Sequence, residues 1–171
     1  KNKNLKEEVM KLVIQIPCYN EESSLPVTLK ALPHSINGID EIEILIINDG
    51  STDRTVEVAK SFGVTHFVNM PHNCGLAKAF TAGLNEALAM GADIIVNTDA
   101  DNQYCAEDIE KLTAPIINGD ADIVIGSRPV SKIAHFSPLK KFLQKSGSLV
   151  MRLISSTDVE DAPSGFRAFS R

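Results

Sequence analysis

Asp99 and Asp101 stand two apart in Asn97-Thr98-Asp99-Ala100-Asp101-Asn102-Gln103, directly after the apolar run Ile94-Ile95-Val96. A carboxylate pair placed where a buried strand gives out suits a hard divalent cation, Mg²⁺ or Mn²⁺. Two carboxylates leave coordination positions open for phosphate oxygens. They also repel one another, and a bound cation relieves that cost. The plain alternative is a solvated turn. The chemistry that fits the pair is binding of a nucleotide diphosphate through a bridging metal.

Other chemistry-bearing residues follow apolar runs in the same way. Pro17-Cys18-Tyr19-Asn20-Glu21 comes after the first run, and Asn48-Asp49-Gly50-Ser51-Thr52-Asp53 after the second. Asn73-Cys74-Gly75 follows the third and Gly126-Ser127-Arg128 the fifth. Asp49 either shapes a turn or accepts from a nucleobase N–H or ribose hydroxyl. The Tyr19 ring either packs internally or lies on a base or ribose. Glu21 and Glu22 suit a helix N-terminus, and Asp53 reads as structural. Arg128 and Arg167 offer planar forks matched to phosphate oxygens, against the alternative of surface ion pairs. Cys18, Cys74 and Cys105 read as incidental small residues at the mouth of the site.

The elements that must position these groups are short. Leu12–Ile16, Ile42–Ile47, Thr65–Val68, Ile94–Val96 and Ile123–Ile125 are continuous apolar runs, as expected of strands buried on both faces. Ser51–Phe62 reads as a helix capped by Ser51 or Asp53. Leu76 to Leu88 carries apolar residues at helical spacing and stops before Gly91. Ile109–Ile117 reads as a shorter helix, with Pro115 near its end. Strands alternating with helices predict βαβ units and a mostly parallel sheet. Ligands of such sheets bind beyond the carboxyl ends of the strands, where the polar clusters fall.

The bulk properties are those of an ordinary globular domain of 171 residues, 43% hydrophobic and 23% charged. No apolar stretch approaches a membrane span, and the first eight residues contain no signal-peptide core. Three cysteines without a C-x-x-C point to a reducing setting, and four scattered histidines have no zinc spacing. A net charge of −5 argues against nucleic acid as a partner. Between Asp122 and Asp158 there is no acid, and six Lys or Arg give that window +6. Within it, Pro138–Ile154 reads as a helix with one apolar side. It is either a core helix with a solvated face or a basic helix near an anionic membrane.

The motifs, taken in order, resemble glycosyltransferase family 2, inverting enzymes of the GT-A fold. They are Ile16-Pro17-Cys18-Tyr19-Asn20-Glu21-Glu22, Ile47-Asn48-Asp49-Gly50-Ser51-Thr52-Asp53, Asn73-Cys74-Gly75-Leu76, Asp99-Ala100-Asp101-Asn102-Gln103 and Asp161-Ala162-Pro163-Ser164-Gly165-Phe166-Arg167. The last resembles the polyprenyl-phosphate or dolichyl-phosphate sugar transferase branch, with Pro163 where Thr is common. Asn48 stands where many members have Asp. The resemblance implies a Rossmann-like sandwich over residues 10–171, with residues 1–9 an extension. It also implies a catalytic-domain piece of a longer chain, since such enzymes usually continue, often into membrane helices.

The resemblance implies a GDP- or UDP-sugar donor and a lipid-phosphate acceptor at the cytoplasmic face of a membrane. Pro17, Tyr19, Glu21, Asp49, Asp99 and Gln103 would bind the nucleotide-sugar. Asp101 would ligate Mg²⁺ or Mn²⁺ directly, and Asp99 would serve the ribose or the metal. Asp161, Asp101, Arg128 and Arg167 would carry the chemistry, with Asp161 as base for a hydroxyl acceptor or as orienter for a lipid phosphate. A saccharide hydroxyl acceptor and a non-catalytic nucleotide-sugar scaffold are the alternatives. A nucleotidyltransferase or NAD-binding domain would need a glycine-rich loop after the first strand, which Pro17-Cys18-Tyr19-Asn20-Glu21 lacks.

Overall fold

The computed structural model describes residues 9–127 and 164–171. The first strand, β1 (Lys11–Cys18), leads through helix α1 (Leu25–Ala31) to β2 (Glu41–Asn48), and α2 (Thr55–Ser61) leads on to β3 (His66–Asn69). Helix α3 (Leu76–Ala89) then returns the chain to β4 (Ile94–Asn97). Helix α4 (Asp108–Ile117) precedes β5 (Ile123–Ile125), and β6 (Arg167–Ser170) closes the described part. Together these strands form a six-stranded sheet of order β3-β2-β1-β4-β6-β5. All pairings among β1 to β4 are parallel, whereas β6 runs antiparallel to both β4 and β5.

The central apolar runs form strands because both faces of the sheet are covered there, whereas β3 and β5, at the edges, are only partly buried. On one face Leu12, Ile14, Ile16, Ile46, Ile94 and Val96 meet Leu25 and Leu29 of α1 and Ile109 and Leu112 of α4. On the other face Val13, Leu45, Ile47 and Ile95 meet Ala79 and Ala87 of α3. Small residues let α3 lie close to the sheet. At Gly83 an added Cβ would come within 2.8 Å of Ile47. Progress along the sheet reverses after β3, so β1 and β4 flank a topological switch point, where such sheets bind ligands.

Two expected boundaries needed correction. Thr65–Val68 is shifted by one residue, to His66–Asn69. The helix expected from Ser51 begins at Thr55, where Asp53 Oδ1 accepts the Thr55 N–H at 3.0 Å. Ser51 Oγ instead accepts the Asn20 N–H at 3.0 Å, so residues 51–54 serve the neighbouring loop. Helix α1 and strand β6 were not expected. Helix α1 is seven residues long and buries only Leu25, Thr28 and Leu29, too short for a periodic pattern. In β6 the sequence Arg-Ala-Phe-Ser offers a single fully buried residue, Ala168. The basic segment Pro138–Ile154 lies outside the described residues.

Candidate active site

The carboxyl ends of β1, β2 and β4 open onto a cavity of about 330 Å³. Pro17, Tyr19, Glu21, Asp49, Asp99 and Asp101 all line it. Pro17 stands beyond the last β1–β4 partner pair, Gln15–Asn97, so its missing N–H leaves no gap in that ladder. Tyr19 is 46% exposed, its ring presented at the mouth. Asn73, Gly75, Leu76 and Ala79 form the wall opposite.

The loops after β1 and β2 are locked together by side chains. Asn20 adopts a left-handed conformation, φ 57°, which asparagine tolerates better than most residues. Its Oδ1 accepts the Thr52 N–H at 2.8 Å. Asp53 Oδ2 accepts the Glu22 N–H at 3.0 Å, and Thr55 Oγ1 accepts the Glu21 N–H at 2.8 Å. Glu22 returns the contact by accepting the Arg54 N–H at 3.0 Å. Glu21 itself accepts from the Ser24 hydroxyl. Burial pushes the Asp53 carboxyl up, but the Thr55 hydroxyl and the N–H groups of Glu22 and Thr55 outweigh it and hold the group below its ordinary value. The structural reading of Asp53 therefore holds.

Asp49 is 4% exposed. Its Oδ1 accepts the Cys74 N–H at 2.7 Å and its Oδ2 the Gly75 N–H at 2.9 Å. The carboxylate ties the loop before α3 to the end of β2, and each oxygen keeps lone-pair capacity for a further donor. Gly50 makes this approach possible. Its φ is 71°, and a Cβ there would sit 2.4 Å from the His72 carbonyl carbon. Cys18 is buried, its Sγ 3.4 Å from the Ile16 carbonyl. Burial pushes its thiol pKa up, which disfavours the thiolate form.

Asp99 and Asp101 part company in their surroundings. Asp101 is exposed and accepts both the backbone N–H and the Nε2 of Gln103. Gln103 thus holds Asp101 and lines a neighbouring hollow, not the main cavity. Asp99 is half-buried and lies against Gly165, where a Cβ would come within 2.9 Å of its Oδ1. Asp99 also lines a second cavity, of about 370 Å³, with Leu76, Phe80, Asn97, Ser164 and Arg167. Arg167 Nε donates to the Ser164 carbonyl at 2.7 Å. The structure therefore brings Asp99 and Arg167 to one cavity, while Arg128 and Asp161 lie outside the described residues.

Gly165 is held from both sides. Its N–H donates to the Tyr104 hydroxyl at 3.1 Å and its carbonyl accepts from Asn97 Nδ2 at 2.7 Å. Tyr104 stacks on Phe166 with centroids 4.9 Å apart. Sequence reasoning missed Asn97, Tyr104 and Gln15, which bonds Asn97 at 2.9 Å. The signal for Gln15 was a polar residue inside an apolar strand. For Tyr104 there was none.

Charge tests whether a divalent cation fits. The main cavity is lined by Glu21, Asp49, Asp99 and Asp101 with no Lys or Arg among its described lining residues. A diphosphate would be repelled there unless a cation accompanied it. Among the described residues no group of three or more His, Cys, Asp or Glu converges on a point. A cation held by Asp99 and Asp101 would keep positions free for phosphate, and the all-oxygen donor set suits Mg²⁺ or Mn²⁺.

An α/β sheet with this switch point and this acidic rim has known counterparts. The family profile described as Glycosyl transferase family 2 matches residues 13–171, and the chain belongs to that family. It is 31% identical over 166 residues to an undecaprenyl-phosphate mannosyltransferase of Micrococcus luteus, covering 94% of this chain and 66% of that protein. It is 33% identical to a UDP-N-acetylglucosamine–dolichyl-phosphate N-acetylglucosaminyltransferase of Methanococcus voltae, covering 91% of this chain and 68% of that one. A dolichol-phosphate mannosyltransferase of Pyrococcus furiosus is 33% identical, with 95% and 47% covered. The chain thus spans about half to two thirds of the length of these relatives. Among solved structures, glucosyl-3-phosphoglycerate synthase of Mycobacterium tuberculosis, in complex with Mn²⁺, UDP-glucose and phosphoglyceric acid, superimposes with a TM-score of 0.71. It shares 19% identity and covers 94% of this chain and 56% of that one. The fold is GT-A, as the motifs implied.

Proposed function

We propose that this domain transfers a sugar, with inversion, from a nucleoside-diphosphate sugar to a polyprenyl phosphate. The observation that carries the reading is the double placement of Asp99. It walls an acidic cavity that needs a cation to receive a diphosphate, and it walls the adjoining cavity that holds Arg167. A donor lying in the first cavity would present its sugar toward the second.

Tyr19 offers a ring face to the base or ribose, and Asp49 an acceptor already oriented by two backbone amides. Glu21 lines the same nucleoside end. Asp99 and Asp101 would hold Mg²⁺ or Mn²⁺. Bound there, the cation would act as Lewis acid for the departing nucleoside diphosphate. The acceptor oxygen attacks the anomeric carbon from the face opposite that leaving group, and the bond to the β-phosphate oxygen breaks. A lipid phosphate is largely dianionic at neutral pH and needs little deprotonation. Arg128 and Arg167 would offset its charge and Asp161 would orient it. Leu76 and Phe80, which line the same cavity as Arg167, offer apolar surface for the lipid next to its phosphate. The names of the mannosyl- and N-acetylglucosaminyltransferase relatives support the acceptor class. They differ in sugar, so the donor is read only as GDP- or UDP-linked.

No helix among the described residues is long and apolar enough to cross a membrane. The site is expected at a cytoplasmic membrane face, where the lipid phosphate and nucleotide-sugar meet. The test incubates full-length protein and membranes with labelled GDP-mannose, UDP-glucose and UDP-N-acetylglucosamine plus Mn²⁺. Label in the organic lipid phase is expected. Label confined to water-soluble glycan would replace the acceptor class, and absence of any transfer would leave a nucleotide-sugar-binding scaffold.

A further inference from the structure

Gln15 is the anomaly of the core. It lies in the middle of β1 at 0% exposure, as do Ile14 and Ile16 on either side. Buried amides are ordinarily satisfied at both oxygen and nitrogen. Gln15 Nε2 donates to Asn97 Oδ1 at 2.9 Å, and Asn97 Nδ2 donates to the Gly165 carbonyl at 2.7 Å. These bonds fix both amide orientations. The Gly165 carbonyl can only accept, so Asn97 turns its nitrogen toward it and its oxygen toward Gln15. Gln15 must then present nitrogen to Asn97, and its Oε1 faces the other way.

That oxygen is buried without a hydrogen-bond partner. It rests against Gly83 of α3, where a Cβ would come within 2.5 Å. An unpaired buried carbonyl is unfavourable, and an apolar side chain of similar length would avoid it. The far end of the relay shows what the arrangement secures. Gln15, Asn97 and Arg167 are successive Cα partners across β1, β4 and β6. Gly165, where the relay ends, is the backbone against which the Asp99 carboxylate rests. Its N–H is held by Tyr104, so Asn97 supplies the second of two fixings.

We infer that Gln15 and Asn97 are positioning residues for sugar transfer: their buried amide relay fixes the Gly165 backbone and through it the Asp99 carboxylate and the start of β6 at Arg167. The inference rests on the transferase reading for its consequence in turnover. The alternative is a polar pair that only fixes strand register, and the two differ in what a substitution does.

Gln15→Met in the full-length protein removes the relay's first donor and the unpaired oxygen together. Three quantities are measured: the melting temperature, the affinity for GDP and UDP with and without Mn²⁺, and kcat and KM for the accepted donor. A small displacement at a reacting centre is worth up to about a hundredfold in rate. We expect kcat to fall about tenfold or more and the gain in nucleotide affinity given by Mn²⁺ to shrink. Metal-free affinity and melting temperature should stay near those of the wild type. Asn97→Ala should lose at least as much, and Gln15→Met combined with Asn97→Ala no more than Asn97→Ala alone, since the two act through one path. Wild-type kcat and an intact Mn²⁺-dependent gain in Gln15→Met would overturn the relay. So would kcat losses that track lost stability and add in the double variant. If the wild type transfers no sugar, the transferase reading fails, and the Mn²⁺-dependent affinities still decide whether Gln15 positions Asp99.

Discussion

At the scale of single residues, the site depends on a missing side chain as much as on charged ones. Gly165 has no special backbone dihedral to excuse it. Its need is space, because a Cβ would stand 2.9 Å and 3.1 Å from the two carboxylate oxygens of Asp99. Gly165→Ala must therefore move the carboxylate or the backbone that Tyr104 and Asn97 hold. We expect turnover to fall about ten- to a hundredfold, with folding stability changed by only about 1–2 kcal/mol, as for a modest overpacking. Transfer assays beside urea unfolding check this, and a variant with wild-type turnover would show that the Asp99 position is not critical. Asp49 and Asp101 illustrate a second point at this scale. Both read as ligand-facing acids in sequence and both line the cavity, where Asp49 also accepts from two backbone amides and Asp101 from the amides of Gln103. Residue type and strand-end location were legible. The hydrogen-bond partners of Asp49 were not, because Cys74 and Gly75 come from a loop remote in sequence.

At the scale of elements, the polar rim is built by loops that hold one another. The turn after β1 and the turn before α2 exchange hydrogen bonds through Asn20, Glu22, Ser51, Asp53 and Thr55. Asp53 is the best gauge of this lock, since its folded-state pKa lies below the ordinary 3.8. A depressed carboxyl pKa contributes stability that is present above the unfolded value and lost as pH falls through the folded one. Asp53→Asn should therefore unfold at lower urea than the wild type near neutral pH, and the gap should narrow as pH falls below the ordinary carboxyl value of 3.8. A gap independent of pH would remove the charge on Asp53 from the lock. Strands β1, β2 and β4 were legible because each is a continuous apolar run in the middle of the sheet, and β3 and β5 were legible from short apolar runs although they lie at its edges and are only partly buried. Strand β6 was not, since Arg167–Ser170 offers only two apolar residues, Ala168 and Phe169, too short a run to stand out, and its strand pairs with β4 and β5. That pairing brings Arg167, seventy residues downstream of Asn97, to the cavity shared with Asp99.

At the scale of the whole molecule, the candidate site is assembled across the sheet, from Pro17 on β1 to Arg167 on β6. A ligand that joins these elements stabilises the folded state as a unit, because no single element carries the site. The charge pattern makes that stabilisation conditional. Glu21, Asp49, Asp99 and Asp101 give the cavity at the ends of β1, β2 and β4 a negative lining, so a nucleoside diphosphate alone should bind poorly and one with Mn²⁺ or Mg²⁺ much better. Binding at a hundredfold excess over Kd is worth about 2.7 kcal/mol, or roughly 5–10 °C in melting temperature for a domain of this size. We expect GDP or UDP to raise the melting temperature by this order only when the divalent cation is present, and EDTA to remove the shift. Asp101→Ala should keep the unliganded melting temperature close to that of the wild type, because its carboxylate is exposed and, among the described residues, bonded only within its own turn, while losing most of the cation-dependent shift. Asp49→Ala should instead lower the unliganded melting temperature, because it frees two backbone amides that hold the loop before α3. An equal nucleotide shift with and without cation would mean that the acidic rim is not a metal site, and the role of Asp99 and Asp101 would then have to be sought in the sugar or the acceptor.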